Sequence, residues 1–116
     1  MGTLIEQATN DANMEPPVQK YELILDIINS RVDMPKHTIN GISKRLSIKN
    51  KKVLFFCFDL LEYLSYRCEL ALYSQISSKE FLLKISGLLM AQDIDASVQT
   101  KILQTIRCWE ELFRPH

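Results

Sequence analysis

Lys51-Lys52-Val53-Leu54-Phe55-Phe56-Cys57-Phe58-Asp59-Leu60-Leu61-Glu62-Tyr63-Leu64-Ser65-Tyr66-Arg67-Cys68 reads as one long helix that is apolar on nearly every side. Only Asp59 and Glu62 interrupt it early, three residues apart, and they read as a solvated stripe on a hydrophobic rod. A helix of this pattern cannot face water on any broad side. It must be the central rod of a domain built from other helices. Asn50, just before it, has the side chain of an N-cap. Its longest unbroken apolar run, Val53 to Phe58, is far too short to cross a bilayer.

Helical periodicity continues on both sides of the rod. Upstream, Thr3 and Glu6 form a capping-box pair for a short first helix, and Thr9-Asn10-Asp11 is its exit. Glu15-Pro16-Pro17 is a stiff connector, because a proline pushes the residue before it out of the helical region. A second helix runs from about Val18 to Ser30, with Leu23, Ile24, Ile27 and Ile28 on a wide apolar face. Pro35 suits the first turn of a third helix through Ile39, Ile42 and Leu46. Downstream, Ser77 or Ser78 caps a helix carrying Phe81, Leu82, Ile85, Leu88 and Leu89. Val98, Ile102, Ile106, Trp109 and Phe113 then step along a final helix that stops at Pro115. No stretch alternates with period two, so the expectation is an all-α domain of six or seven helices with neighbouring antiparallel pairs.

The chain has 116 residues, 47% of them hydrophobic and 24% charged, which fits one globular domain. A chain of this size buries roughly two-thirds of its unfolded surface and needs no disulfide or metal staple. Cys57, Cys68 and Cys108 are odd in number and lie far apart within apolar stretches, which favours packing thiols in a reducing compartment. No secretory signal or myristoylation signal is evident at the N-terminus. Three scattered glycines offer no phosphate-cradling loop, and His37 and His116 have no Cys or His at ligand spacing. No catalytic residues, metal or cofactor are therefore expected, because no nucleophile, base and orienting group can be named.

Net charge is zero but unevenly spread: −4 over residues 1–33, +6 over 34–54 and −2 over 55–116. Lys44, Arg45, Lys49, Lys51 and Lys52 crowd the end of helix three and the start of helix four. Such a cluster suits an anionic membrane surface, each lysine adding about 1 kcal/mol of attraction. It equally suits a solvated helix end, since cations favour a helix C-terminus. Nucleic acid is the poorer partner, because the cluster has no interleaved aromatics and the chain is neutral overall.

In order and spacing the chain resembles a VHS domain of the ENTH/VHS superfamily. The resemblance is carried by Leu4-Ile5-Glu6-Gln7-Ala8-Thr9-Asn10, Tyr21 to Ser30, Lys44-Arg45-Leu46, Asp59-Leu60-Leu61-Glu62 and Cys68, Ser77 to Leu82, and Lys101-Ile102-Leu103-Gln104 through Trp109. Gln75 to Leu82 looks most like the fungal-type Golgi-localised, gamma-ear-containing, ARF-binding adaptors. The resemblance implies a single VHS-like domain over residues 1–116, a right-handed superhelix of six to eight helices. It also implies a cytoplasmic adaptor, peripheral on Golgi or endosomal membranes, that binds ubiquitin or ubiquitinated cargo.

Endosomal members bind ubiquitin with a Trp near the start of helix two and an aliphatic residue four positions later. Tyr21 and Leu25 fall at those places. They share one face, offset from the Leu23/Ile27 side expected to meet the core. Acidic dileucine signals, which animal adaptors hold between helices six and eight, are not an expected partner. Ser78 and Glu80 stand where those adaptors carry basic residues, and Lys79 lies about 100° away round the helix. With the sequence ending at His116, only half of that groove is expected. Arg67 and Glu69 flank Cys68 in place of the family's common Asn and Gly, and Tyr73 replaces a usual histidine. Without that glycine, helix four is expected to run on toward Leu72.

Overall fold

Asn50 starts the central helix as expected. Its side chain accepts hydrogen bonds from the Lys52 and Val53 amides at 3.0 and 3.2 Å, filling two of the four donors a helix N-terminus leaves open. The computed structural model describes residues 2–113, with the side chains of Glu69 and Leu70 excepted. These residues form seven helices and no strand: α1 Gly2–Ala8, α2 Val18–Ile28, α3 Met34–Arg45, α4 Lys51–Arg67, α5 Glu69–Ile76, α6 Lys79–Leu89 and α7 Ala96–Leu112. The all-α fold read from the sequence is the fold observed.

The rod is α4. Phe58, Leu60, Leu61 and Leu64 are fully buried, with Val53, Leu54, Phe56 and Cys57 beside them. The long α7 packs along one side of it, while α2, α3 and α5 close other sides. Against this core α1 contributes Ile5 and Ala8, α3 Ile39 and Ile42, α6 Phe81 and Ile85, and α7 Val98 and Ile102. All three cysteines are buried and unpaired. Burial pushes the Cys57 thiol up to about 12, despite the opposing pull of Arg45 and Thr9, and the Cys68 thiol up to about 11.

Other local signals also hold. Pro35 sits in the first turn of α3. Ser78 caps α6 by accepting from the Phe81 amide at 3.3 Å, and Asp95 caps α7 through the Ser97 amide. Two expectations change. Thr3 lies inside α1 rather than ahead of it, since that helix begins at Gly2. Helix four does not run on to Leu72. It ends at Arg67, and Cys68, at φ −141° and ψ 50°, breaks it from α5 without needing a left-handed residue. The break lets α5 turn against α3 and bury Leu72 and Ile76 in the core, a gain no straight continuation of α4 offers. The expected stop at Pro115 falls outside the described residues.

Candidate docking site

The structure turns α2 by roughly a quarter of its circumference from the expected orientation. Tyr21, Ile24 and Ile28 face the core, and Tyr21 is only 1% exposed. Leu23, expected inside, is 53% exposed, and Ile27 is only partly covered. Tyr21 is therefore no outward contact residue. Leu25, one turn further on, is half-buried, and Val18, one turn before Glu22, is exposed.

Beneath α2, the Tyr21 ring leans on the Tyr63 ring at a centroid distance of 5.3 Å. Tyr63 is itself half-buried, and the Arg67 guanidinium lies 3.8 Å from its centroid, a cation–π contact. Leu25 on α2 and Tyr63 on α4 are thus each left half-covered, and Glu22 and Arg67 are exposed on the same two helices.

Asp59 and Glu62 are not a solvated stripe. The Tyr21 hydroxyl donates to Asp59 Oδ2 at 3.1 Å, and Lys101 Nζ donates to Asp59 Oδ1 at 3.0 Å and to Glu62 Oε2 at 2.8 Å. The Thr105 hydroxyl lies 2.9 Å from Glu62 Oε1 and 2.9 Å from the Lys101 carbonyl, and donates to one at a time. One turn on, Trp109 Nε1 donates to Ser65 Oγ at 2.9 Å, and Ser65 donates to the Leu61 carbonyl. Asp59, Glu62 and Ser65 on α4 therefore meet Lys101, Thr105 and Trp109 on α7 as a polar seam through an apolar interface. Among the described residues no buried side-chain nitrogen or oxygen lacks a partner.

This geometry accounts for the titration behaviour. Burial first, and the Asp59 carboxylate second, hold the Tyr21 phenol far above its ordinary range. Burial works against the Lys101 ammonium, but its bonds to Glu62 and Asp59 outweigh that and raise its pKa. Sequence reasoning passed over Lys101. The signal was two matching polar stripes, at three-residue steps on α4 and four-residue steps on α7.

The basic residues divide among separate hollows. Lys44 and Arg45 line one with Glu6 and His37. Lys49 and Lys51 line a groove of about 530 Å³ with Lys84, Asp93 and Asp95. Lys51 and Lys52 border a third with Met14, Pro16 and Phe55. Lys44, Lys49, Lys51 and Lys52 are exposed, whereas Arg45 is half-buried and its Nε donates to Thr9 Oγ1 at 2.9 Å, tying α3 to the α1 exit. An apolar groove of about 660 Å³ also opens between α5, α6 and α7, floored by Ile85 and Trp109. Glu80 is exposed in the first turn of α6. No described helix is long and apolar enough to cross a membrane.

The sequence profile of the VHS domain matches residues 1–116. The chain belongs to the VHS domain family. TOM1-like protein 3 of Arabidopsis thaliana is 32% identical over 108 residues, 93% of this chain and 21% of that protein. The class E vacuolar protein-sorting machinery protein HSE1 of Chaetomium globosum is 24% identical over 110 residues, 95% of this chain and 15% of that protein. Among solved structures, the VHS and FYVE tandem domains of Hrs, a protein involved in membrane trafficking and signal transduction, superpose with a TM-score of 0.86. That match has 25% identity and covers 97% of this VHS chain and 51% of the other. The chain spans about a fifth of the length of its TOM1-like relatives, 21% and 18% for two of them. These relatives support the VHS part of the expectation; they are TOM1-like, HSE1 and Hrs proteins, not specifically Golgi-localised adaptors.

Proposed function

We propose that this VHS domain is a non-catalytic adaptor module in membrane sorting, and that it docks ubiquitin or ubiquitinated cargo through the α2–α4 face. The observation that carries the reading is Tyr63, half-buried against the buried Tyr21 ring, with half-buried Leu25 one turn along α2 from Tyr21. Leu25 is the contact residue, and Tyr21 supports it from beneath rather than touching the partner. An aliphatic and an aromatic side chain with a charged rim make a small patch of the kind that weak, transient interfaces use. The resemblance of Tyr21 and Leu25 to the family's ubiquitin-contact positions supports the same face, and the HSE1 relative's place in vacuolar protein sorting supports the sorting role. The proposed location is the cytosolic side of endosomal membranes. Acidic dileucine peptides are a poor match, because exposed Glu80 would repel their acidic group.

Amide NMR titration with monomeric ubiquitin tests this reading. Saturable shifts should centre on Leu25 and Tyr63 and vanish in Leu25→Asp. An unshifted spectrum at roughly millimolar ubiquitin would sink it, since weaker binding has no use as a docking step.

A second reading is an anionic phosphoinositide surface, supported by the exposure of Lys44, Lys49, Lys51 and Lys52. Arg45 is withdrawn from it by its bond to Thr9. Salt separates the readings: lysine-driven vesicle binding collapses as ionic strength rises, whereas apolar docking on Leu25 persists.

A further inference from the structure

We propose that Lys101 is a positioning residue for the α2 docking face, acting through Asp59 on Tyr21. The inference rests on the ubiquitin-docking reading and assigns that face a control point on a helix that does not form it.

Lys101 lies on α7, and its hydrogen bonds reach α2 through Asp59 of α4. Its ammonium holds Asp59 Oδ1 at 3.0 Å, which leaves Oδ2 turned to the Tyr21 hydroxyl at 3.1 Å. It also holds Glu62 at 2.8 Å, one helical turn from Asp59 on the same face of α4. Without that cation the two carboxylates repel across a partly buried interface, and the nearer route to relief is rotation of each toward water. Asp59 would then leave the Tyr21 hydroxyl buried without an acceptor. Phe55 adds to the setting, with its ring centroid 5.2 Å from the ammonium, so the cation is also shielded from solvent on that side. Tyr21 is the anchor that sets how α2 rests on Tyr63, and Leu25 stands one turn further along the same helix. A shift in the anchor therefore changes the height and angle at which Leu25 meets a partner.

The far end of the seam provides a control. Ser65 and Trp109 join the same two helices by a neutral hydrogen bond, and neither is hydrogen-bonded to α2. Loss of α4–α7 stability alone would follow from damage at either end. Loss of docking should follow only from damage at the Lys101 end.

The experiment is a double-mutant cycle on ubiquitin affinity, read by NMR, with the ¹³Cζ shift of Tyr21 as a direct probe of its hydrogen bond. Lys101→Met and Tyr21→Phe should each weaken ubiquitin binding about fivefold, and the double variant should lose little more than either one, as coupled sites do. Lys101→Met should also move the Tyr21 ¹³Cζ resonance. Lys101→Arg should restore both readouts, and Ser65→Ala should change neither. If Lys101→Met does not fold, Lys101→Gln, which retains a donor for one carboxylate, takes its place in the cycle. Unchanged affinity in the Lys101 variants, additive losses, or an unmoved Tyr21 resonance would each overturn the proposal while leaving ubiquitin docking intact. Absence of binding by the unaltered chain would overturn the docking reading and this one with it.

Discussion

Two helices of this domain are rich in aliphatic and aromatic residues and are used in opposite ways. α4 is enclosed by neighbours over most of its length, so most apolar side chains it carries are covered, Tyr66 being the exposed exception. α2 lies at the edge: it buries Tyr21, Ile24 and Ile28 and leaves Leu23 exposed and Leu25 and Ile27 half-covered. The difference shows what an apolar helix leaves undecided. Where partners surround it, orientation hardly matters. Where they cover one side, the same composition permits several orientations, and the apolar residues left over become a surface that others can use. The polar groups follow the same contrast. Asp59, Glu62 and Ser65 on α4 are matched from α7, while Glu22 and Asp26 on α2 face solvent.

The comparison breaks most clearly at the centre of α4. Phe58→Ala should cost about 4 kcal/mol in chemical denaturation, because a fully buried aromatic side chain leaves a cavity that surrounding helices cannot fill. A cost under half of that would mean α4 is less enclosed than described. Next comes the seam. Lys101→Met should cost about 3 kcal/mol, since it strands two carboxylates in a largely covered interface. Lys101→Arg should recover most of it, and a loss equal to that of Met would show that shape rather than charge matters there.

Alkaline pH sharpens the same contrast with a smaller effect. The raised pKa values of Cys57, Cys68 and Tyr21 keep these groups protonated in the fold while the unfolded chain ionises. The native state then binds more protons than the unfolded one, so stability falls as pH rises. It should be intact below about pH 8.5, the ordinary thiol value, and roughly 2 kcal/mol lower by pH 9. Thermal melts under reducing conditions read this directly, and a flat profile between pH 8 and 10 would mean the thiols are accessible. The smallest effect belongs to the outer side of α2. Leu23→Ser should change stability by less than about 0.5 kcal/mol, as exposed positions do. A loss of several times that would place Leu23 in the core after all.

Helix boundaries were legible because capping is local. Asn50, Ser78, Asp95 and Pro35 act within three residues of themselves, and Asn50, Ser78 and Pro35 mark helix starts in the sequence alone. The role of α4 was legible for a different reason: its apolar surface has no broad polar side to give to water. The facing of α2 was not. Leu23, Ile24, Leu25, Ile27 and Ile28 occupy more than half of its circumference, and Tyr21 tips the balance only because Asp59 offers its hydroxyl an acceptor. The candidate site was therefore half visible. The α2 pair Tyr21 and Leu25 could be picked out from the chain, but which of the two faces outward could not, and Tyr63, Arg67 and Lys101 had no local mark of their own.

By itself, the sequence determined an all-α domain, a central rod from Asn50 onward, the ends of most helices and the resemblance to VHS domains. Only the tertiary structure decided the orientation of α2, the break at Cys68 and the pairing of Asp59 and Glu62 with Lys101. Caps and periodicity act over a few residues and are written in consecutive letters. The seam joins groups 39 to 44 residues apart, and only the packing of α4 against α7 selects which of many distant polar residues meet.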